Sequence, residues 1–290
     1  MELSEISAPP RQLVFEVASV CNLRCPQCWI GLRWTERSKS EYLMPMDLFY
    51  KVCDEASGFV KHTYLHLWGE PTLHKKLPEM IKRVKEFSTI DLATHGLFID
   101  EELAIEIAKC DTISVSIEGV TQEVYEKYRV GGRLDKAMHG LKLLSEAAPG
   151  RVSWTYVVFK SNEHQTADAV EVAKSLSVRL GLKPPIFWDK SKMSSEMPSD
   201  ESLRRYVYRD GSWQLKADRF KCTEFWTTVY VLPSGNVITC CYDGNSEYVM
   251  GNVKESSVMS VWNGEPYRIM RRNHLQKVLN PLCQKHCNLP

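Results

Sequence analysis

The 290-residue chain has almost no excess charge of either sign: 37 Lys and Arg against 36 Asp and Glu leave a net +1. That balance excludes the basic face that nucleic-acid phosphates require and the polybasic stripe of a membrane-surface protein. No apolar run approaches the ~18 residues of a membrane-spanning helix. The first residues, Met1-Glu-Leu-Ser-Glu, lack the basic-then-apolar pattern of a secretory leader. Internal repeats and low-complexity tracts are also missing. A cytoplasmic chain follows as the expectation, with neither nucleic acid nor membrane as partner, and 43% apolar and 25% charged residues suit an ordinary packed core.

Against that background, ten cysteines require an explanation. A reducing compartment disfavours disulfides, so metal binding or catalysis comes first. Cys21, Cys25 and Cys28 are crowded into one short stretch, and Cys222, Cys240, Cys241, Cys283 and Cys287 occupy the C-terminal quarter. Only Cys53 and Cys110 lie between, each in a run with helical spacing, where a thiol serves as a small buried apolar group.

Short β-rich runs alternate with amphipathic helical runs over the first two thirds. Strands are expected at Leu13–Val17, Thr63–Leu67, Ile90–Thr94, Thr112–Ser116 and Val152–Phe159, with a sixth near Pro185–Trp188. Helices are expected at Met46–Ser57, Leu77–Phe87, Glu101–Lys109, Leu134–Ala147 and Ala167–Leu180. Such alternation predicts an α/β fold with a parallel sheet. Six strands are too few for a closed eight-stranded barrel, so a partial (β/α)6 TIM-type barrel is the natural architecture. Active sites of such sheets gather at the C-terminal strand ends, where Cys21, Gly69, Thr94 and Ser116 all fall. From Lys190 to Asp210 no period is evident. Beyond it, Thr227–Leu232 and Val237–Thr239 flank a Gly-Asn turn and predict a hairpin, followed by a helical tail from Val258 to Arg272.

Thiolates are preferred ligands for iron–sulfur clusters and for zinc. Four at one site would close a structural centre, whereas three within eight residues suit a cubane with one iron left open. A zinc knuckle is the competing reading, for which Cys25 and Cys28 have the spacing and Cys21 is surplus. The stretch Cys21-Asn-Leu-Arg-Cys25-Pro-Gln-Cys28, after a first strand, resembles the signature of the radical S-adenosylmethionine (radical SAM) superfamily. Further motifs match in order. Trp68-Gly-Glu-Pro71 is similar to the family's Gly-Gly-Glu motif, with Trp68 in place of the first glycine. Thr94-His-Gly96 stands where Thr-Asn-Gly is common, Ser116-Ile-Glu-Gly119 resembles Ser-x-Asp-Gly, and Tyr125-Glu-Lys-Tyr-Arg129 resembles Tyr-x-x-x-Arg. Gln27 departs from the aromatic residue that often precedes the third cysteine; Trp29 follows it instead.

The resemblance implies a [4Fe–4S] cluster on Cys21, Cys25 and Cys28 whose open iron chelates the methionine end of S-adenosylmethionine. It implies that Gly69 and Glu70 hold the methionine amino group and that Arg129 reaches its carboxylate. Thr94, Ser116 and Glu118 would complete the cofactor site, the latter two at the ribose. Reductive cleavage of the cofactor yields a 5′-deoxyadenosyl radical that takes a hydrogen atom from substrate, so an electron donor such as a flavodoxin or ferredoxin is implied.

The C-terminal pattern, Gly235-x4-Cys240 after a hairpin with a distal cysteine pair, resembles the family's SPASM/twitch auxiliary-cluster region; Met250-Gly-Asn-Val253 and Ser260-Val-Trp262 fit it as well. The resemblance implies residues 1–195 as the barrel, 196–221 as a linker, and 222–290 as a small β-hairpin-plus-helix twitch domain. The economical ligand set for one auxiliary [4Fe–4S] cluster is Cys222, Cys240, Cys283 and Cys287; zinc on the same four thiolates is the alternative. Cys241 is then spare. It is a buried filler, a ligand in place of Cys240, or a thiol facing substrate, and the S–H bond is weak enough to quench a carbon radical. The layout is most similar to small members acting on aminoglycosides and related sugars, of the 2-deoxy-scyllo-inosamine dehydrogenase and neomycin C epimerase type. Epimerisation, with Cys241 returning a hydrogen atom, is the expectation, ahead of dehydrogenation and of peptide modification. From a different class, a non-catalytic zinc or cluster protein stays open. Specificity is expected in residues 190–220 and at the strand ends, where Trp154, Tyr156, Trp188 and Asp189 serve equally well as packing.

Overall fold

The computed structural model describes residues 8–33, 43–216, 222–278 and 280–286. Six parallel strands form the barrel wall in sequence order: β1 (Gln12–Phe15), β2 (His62–Tyr64), β3 (Thr89–Thr94), β4 (Thr112–Ser116), β5 (Val152–Val157) and β6 (Arg179–Lys183). Helices cross between them at Met46–Ala56, Leu77–Lys85, Glu101–Ile107, Leu134–Ala147 and Thr166–Ser175. Alternate side chains point to opposite faces of a strand, and the two faces differ in chemistry. Leu13 and Phe15, Thr63 and Leu65, Ile90 and Leu92, Ile113 and Val115, Trp154 and Tyr156 are all fully buried towards the helices. The opposite face carries Tyr64, His66, Asp91, Ser114, Ser116, Ser153 and Thr155, half-buried around an open lumen.

The sixth strand lies earlier than the sequence suggests. Arg179–Lys183 pairs in parallel with Ser153–Val157, and the preceding helix stops at Ser175, with Ser177 in a left-handed turn at φ 54°. The expected strand at 185–188 follows Pro184 and Pro185, which have no N–H to offer a ladder. Phe187 and Trp188 are instead packing residues beyond the strand end.

Past the barrel, β7 (Tyr206–Arg209) and β8 (Ser212–Leu215) form a separate antiparallel pair inside the segment expected as a linker. It caps a small apolar group of Phe159, Phe187, Met193, Met197 and Tyr206 at the exit of β5 and β6. The expected hairpin is present as β9 (Thr228–Val231) and β10 (Asn236–Ile238), turned at Gly235 with φ 88°. A third strand, β11 (Val249–Asn252), pairs with β10. The strand β9 also pairs with β1 in parallel, Gln12 opposite Thr228 through Phe15 opposite Val231. One nine-stranded sheet therefore runs through both regions. The helical tail breaks at Asn263–Gly264 into Val258–Trp262 and Glu265–Leu275, the second opening with Pro266 in its first turn.

Cys53 and Cys110 are fully buried on the helix side of the sheet, and burial pushes both thiols up to about 12. Thiols held in that form are inert packing groups.

Candidate active site

The cysteine loop leaves the end of β1 and folds back on itself. The Cys28 amide donates to the Cys25 carbonyl at 3.1 Å, the Leu23 amide to the Cys21 sulfur at 3.4 Å, and the Arg24 amide to the Val130 carbonyl at 3.1 Å. A short helix, Trp29–Leu32, then crosses directly over the loop. Its Gly31 lies so close that a Cβ would stand 2.2 Å from the Cys25 carbonyl oxygen. Cys21, Cys25 and Cys28 thereby come to one wall of a cavity of about 190 Å³ at the C-terminal ends of β1 to β4.

Opposite them stands the turn after β2. A Cβ on Gly69 would sit 1.8 Å from the Ala18 carbonyl oxygen, so this backbone approach admits glycine alone. The Glu70 amide donates to the Val20 carbonyl at 2.9 Å, which seats the Glu70 side chain in the cavity wall. One Glu70 oxygen accepts from Thr94 Oγ1 and Thr72 Oγ1, both at 2.6 Å, and from the Thr72 amide at 3.1 Å. The other accepts from the His95 amide at 2.9 Å. These bonds fix the orientation of the Glu70 carboxyl group in the cavity wall. His95 continues the arrangement. Its Nδ1 accepts from the Leu97 amide at 3.1 Å, which leaves the proton on Nε2, 2.8 Å from Asn22 Oδ1. Burial lowers the His95 pKa, so the ring stays neutral.

Arg129 closes the third side. It forks onto Glu118 with both Nε and Nη2, the latter at 2.8 Å, and its Nη1 stands 3.8 Å from the Cys25 sulfur. Burial opposes the Arg129 charge, but Glu118 and then Cys25 hold its pKa well above the ordinary value. Glu118 is fully buried behind the arginine and does not line the cavity; Ser116 does, as do Gly69, Glu70, Thr94 and Arg129. The six residues expected at the cofactor are thus five on the wall and one behind it.

Burial pushes the Cys21 and Cys25 thiols up to about 12. The protein alone does not ionise them; a bound metal centre does so outright. Among the described residues, no three ligand-type side chains converge as the ligands of a single ion do. A cubane, whose irons each take one thiolate, asks for a wider ring and leaves a fourth iron for a small chelator beside Glu70 and Arg129. The donor set and its neighbours fit that group.

The second cysteine set is assembled by packing. Cys240 ends the β10 arm, buried with Val14, Tyr230, Leu232, Ile238 and Leu282. Cys283 is buried in the main core, on a helix (Pro281–His286) capped by Asn280, whose Oδ1 accepts from the Leu282 amide at 2.6 Å and whose Nδ2 donates to the Met270 sulfur at 3.6 Å. Cys222 is half-buried against the same core. Cys287 lies outside the described residues. Cys241, next to the buried Cys240, is exposed. Its carbonyl accepts from Trp68 Nε1 at 2.9 Å.

His66 and Tyr242 were not singled out from sequence, and neither were the contacts made by Gln27, Trp29 and Trp188. His66 lines the cavity, its Nδ1 accepting from the Ala93 amide at 3.1 Å; its only signal was the polar alternation His62, Tyr64, His66 along one face of β2. Gln27 pairs both ways with the Asp189 backbone, at 3.2 and 3.0 Å, and so ties the cysteine loop to the exit of β6. Trp29 stacks with Trp188 at 5.2 Å, which stacks with Tyr242 at 5.8 Å. Trp154 and Tyr156 are fully buried packing residues, whereas Asp189 is held in a turn by its own bonds to Ser191.

Comparison with known proteins agrees with this geometry. The Pyrococcus furiosus tungsten-containing aldehyde ferredoxin oxidoreductase cofactor-modifying protein is 24% identical, over 91% of this chain and 85% of that protein. The PqqA peptide cyclase of Granulibacter bethesdensis is 25% identical, over 89% and 75% respectively. The crystal structure of BtrN in complex with AdoMet and 2-DOIA shares the fold, with a TM-score of 0.63 at 19% identity, covering 98% of this chain and 95% of that one. The SPASM iron-sulfur cluster-binding domain matches residues 222–288, and the radical SAM superfamily model matches residues 15–173, more than half of the chain. This protein belongs to the radical SAM superfamily and is an enzyme of S-adenosylmethionine and [4Fe–4S] clusters.

Proposed function

We propose that the enzyme epimerises a carbon of a hydroxyl-rich small molecule of the sugar or aminoglycoside class, with Cys241 as the hydrogen-atom donor. The observation that carries this reading is the placement of Cys241: an exposed thiol, one residue from the buried Cys240, on a backbone held by a tryptophan of the cofactor cavity. The polar lumen wall supports the substrate class, since Ser114, Ser116, Ser153, Thr155, His66 and Asp91 offer donors and acceptors to hydroxyl groups. In this reading Cys21, Cys25 and Cys28 hold one cluster and Cys222, Cys240, Cys283 and Cys287 the other. Gly69 and Glu70 receive the cofactor's amino group, Thr94 fixes Glu70, and Arg129 meets the carboxylate. Ser116 faces the ribose, and Glu118 acts through Arg129. The division of labour is 1–195 for the barrel, 196–221 for the connecting segment and 222–290 for the auxiliary region.

When bound, the first cluster and S-adenosylmethionine supply a primary carbon radical that takes one hydrogen atom from substrate. The Cys241 S–H then gives a hydrogen atom to the opposite face of the substrate carbon. The thiyl left behind regains one electron and one proton, the electron coming from a flavodoxin- or ferredoxin-type donor. In ordinary water the product should be isobaric with substrate, and in heavy water one mass unit heavier, with one deuterium at the inverted carbon. Cys241→Ala should stop inversion while cofactor cleavage continues; an alanine variant that inverts at the normal rate would end the reading. The second reading is dehydrogenation, favoured by the fold shared with BtrN, whose complex holds 2-DOIA. There the substrate radical loses a proton and passes its electron to the auxiliary cluster, and the product is two mass units lighter. The likeness to a peptide cyclase makes peptides the third class to assay.

A further inference from the structure

Trp68 stands where its relatives' motif has a glycine, and it belongs to two neighbourhoods at once. One edge lines the cavity shared by Cys21, Cys25, Cys28, Glu70 and Arg129. The rest packs on the apolar group that buries Cys240, together with Tyr230 of β9 and Leu232 just beyond it. Its indole N–H donates to the Cys241 carbonyl at 2.9 Å across 173 residues of sequence. The backbone under it cannot drift: Gly69 is jammed against the Ala18 carbonyl, and the Glu70 amide is bonded to Val20. A planar ring with only two side-chain torsions, anchored at both ends, carries position over its full length with little loss.

We infer that Trp68 is a positioning residue: it pins the Cys240–Cys241 turn of the auxiliary region to the rim of the cofactor cavity, so that this turn meets the substrate carbon. A glycine there would leave that turn tied to the β9–β10–β11 strands and its own apolar packing, with no direct bond to the cavity rim from this position. The inference rests on the reading that the Cys241 turn acts on substrate, but the tie itself has its own readout.

Trp68→Phe keeps the ring and removes the donor; Trp68→Tyr restores a polar hydrogen at the ring edge. In the anaerobic, fully iron-loaded enzyme, alkylation of Cys241 by iodoacetamide is followed by peptide mass spectrometry. Trp68→Phe should raise the Cys241 alkylation rate about fivefold. The 5′-deoxyadenosine formed per product should rise about tenfold, with Trp68→Tyr recovering part of it. An unchanged alkylation rate and an unchanged ratio in Trp68→Phe overturn the inference. If the iron content of Trp68→Phe falls, Trp68→Tyr is read alone against wild type: a raised alkylation rate with a raised ratio supports the tie, and a normal ratio, whatever the rate, overturns its role in the reaction. A Cys241→Ala enzyme that turns over normally removes the thiol-donor reading and leaves the alkylation result standing, so the two failures are separable.

Discussion

The two cysteine sets are built in opposite ways. The first is local: three thiols in one loop, locked by amide bonds within the loop and by a glycine that lets a helix lie on top of it. The second is assembled from a strand end, a segment beside the core and a terminal helix, each held by apolar packing. A local site costs little conformational entropy to close, whereas a dispersed one depends on the whole sheet being formed.

The largest expected effect separates the two. Cys25→Ala should remove about four of about eight irons and lower S-adenosylmethionine cleavage by at least about 10³-fold, whereas Cys240→Ala should remove the other four and leave cleavage within about tenfold of normal. Iron analysis with electron paramagnetic resonance on both variants checks it; loss of all the iron from either one would show that the sites are not independent.

Next in size is the support behind the first site. Glu118→Gln leaves the Arg129 guanidinium without its fork in a buried place, and breaking such a pair costs about 3 kcal/mol. Cofactor affinity should fall about tenfold or more, while iron loading stays normal; equilibrium dialysis reads the affinity, and an unaltered value would separate Arg129 from the cofactor. Gly69→Ala should disrupt cofactor binding as well, because its methyl meets the Ala18 carbonyl rather than a yielding side chain.

The smallest effect is on pH. His95 is buried and neutral, its folded pKa lying below the unfolded value of about 6.5. Below that value the unfolded chain binds the proton more readily, so the contribution of neutral His95 is present above about pH 6.5 and lost as the pH falls. The urea midpoint of the apoprotein should drop between pH 7.5 and 5.5, and His95→Gln should flatten that slope. An identical slope in both would place the sensitivity elsewhere, His66 being the first candidate, since burial lowers its pKa too.

Much of the first site was legible because its determinants are short-range. Cys21, Gly69, Thr94 and Ser116 lie at strand ends that hydrophobic alternation located, and the motif resemblance added Cys25, Cys28, Glu70 and Arg129, all on the same cavity wall. The sixth strand was misplaced because Leu180-Gly-Leu182 is a weak pattern, and its assignment is made by pairing with β5. The β7–β8 pair was missed for the same reason: its residues are largely exposed, so no apolar period marks it. Glu118 illustrates a different limit. Its place in a motif pointed to the ribose, while packing put it behind Arg129.

Residue types and short spacings by themselves carried the resemblance to the radical SAM superfamily: three thiols in one loop, a glycine turn and an acid are local features written in the backbone. Only the tertiary structure decided that β9 joins β1, that Trp68 meets the Cys241 carbonyl, and that the lumen is polar. Those contacts span up to 216 residues, and no local propensity selects a partner at that separation; burial of the shared sheet does.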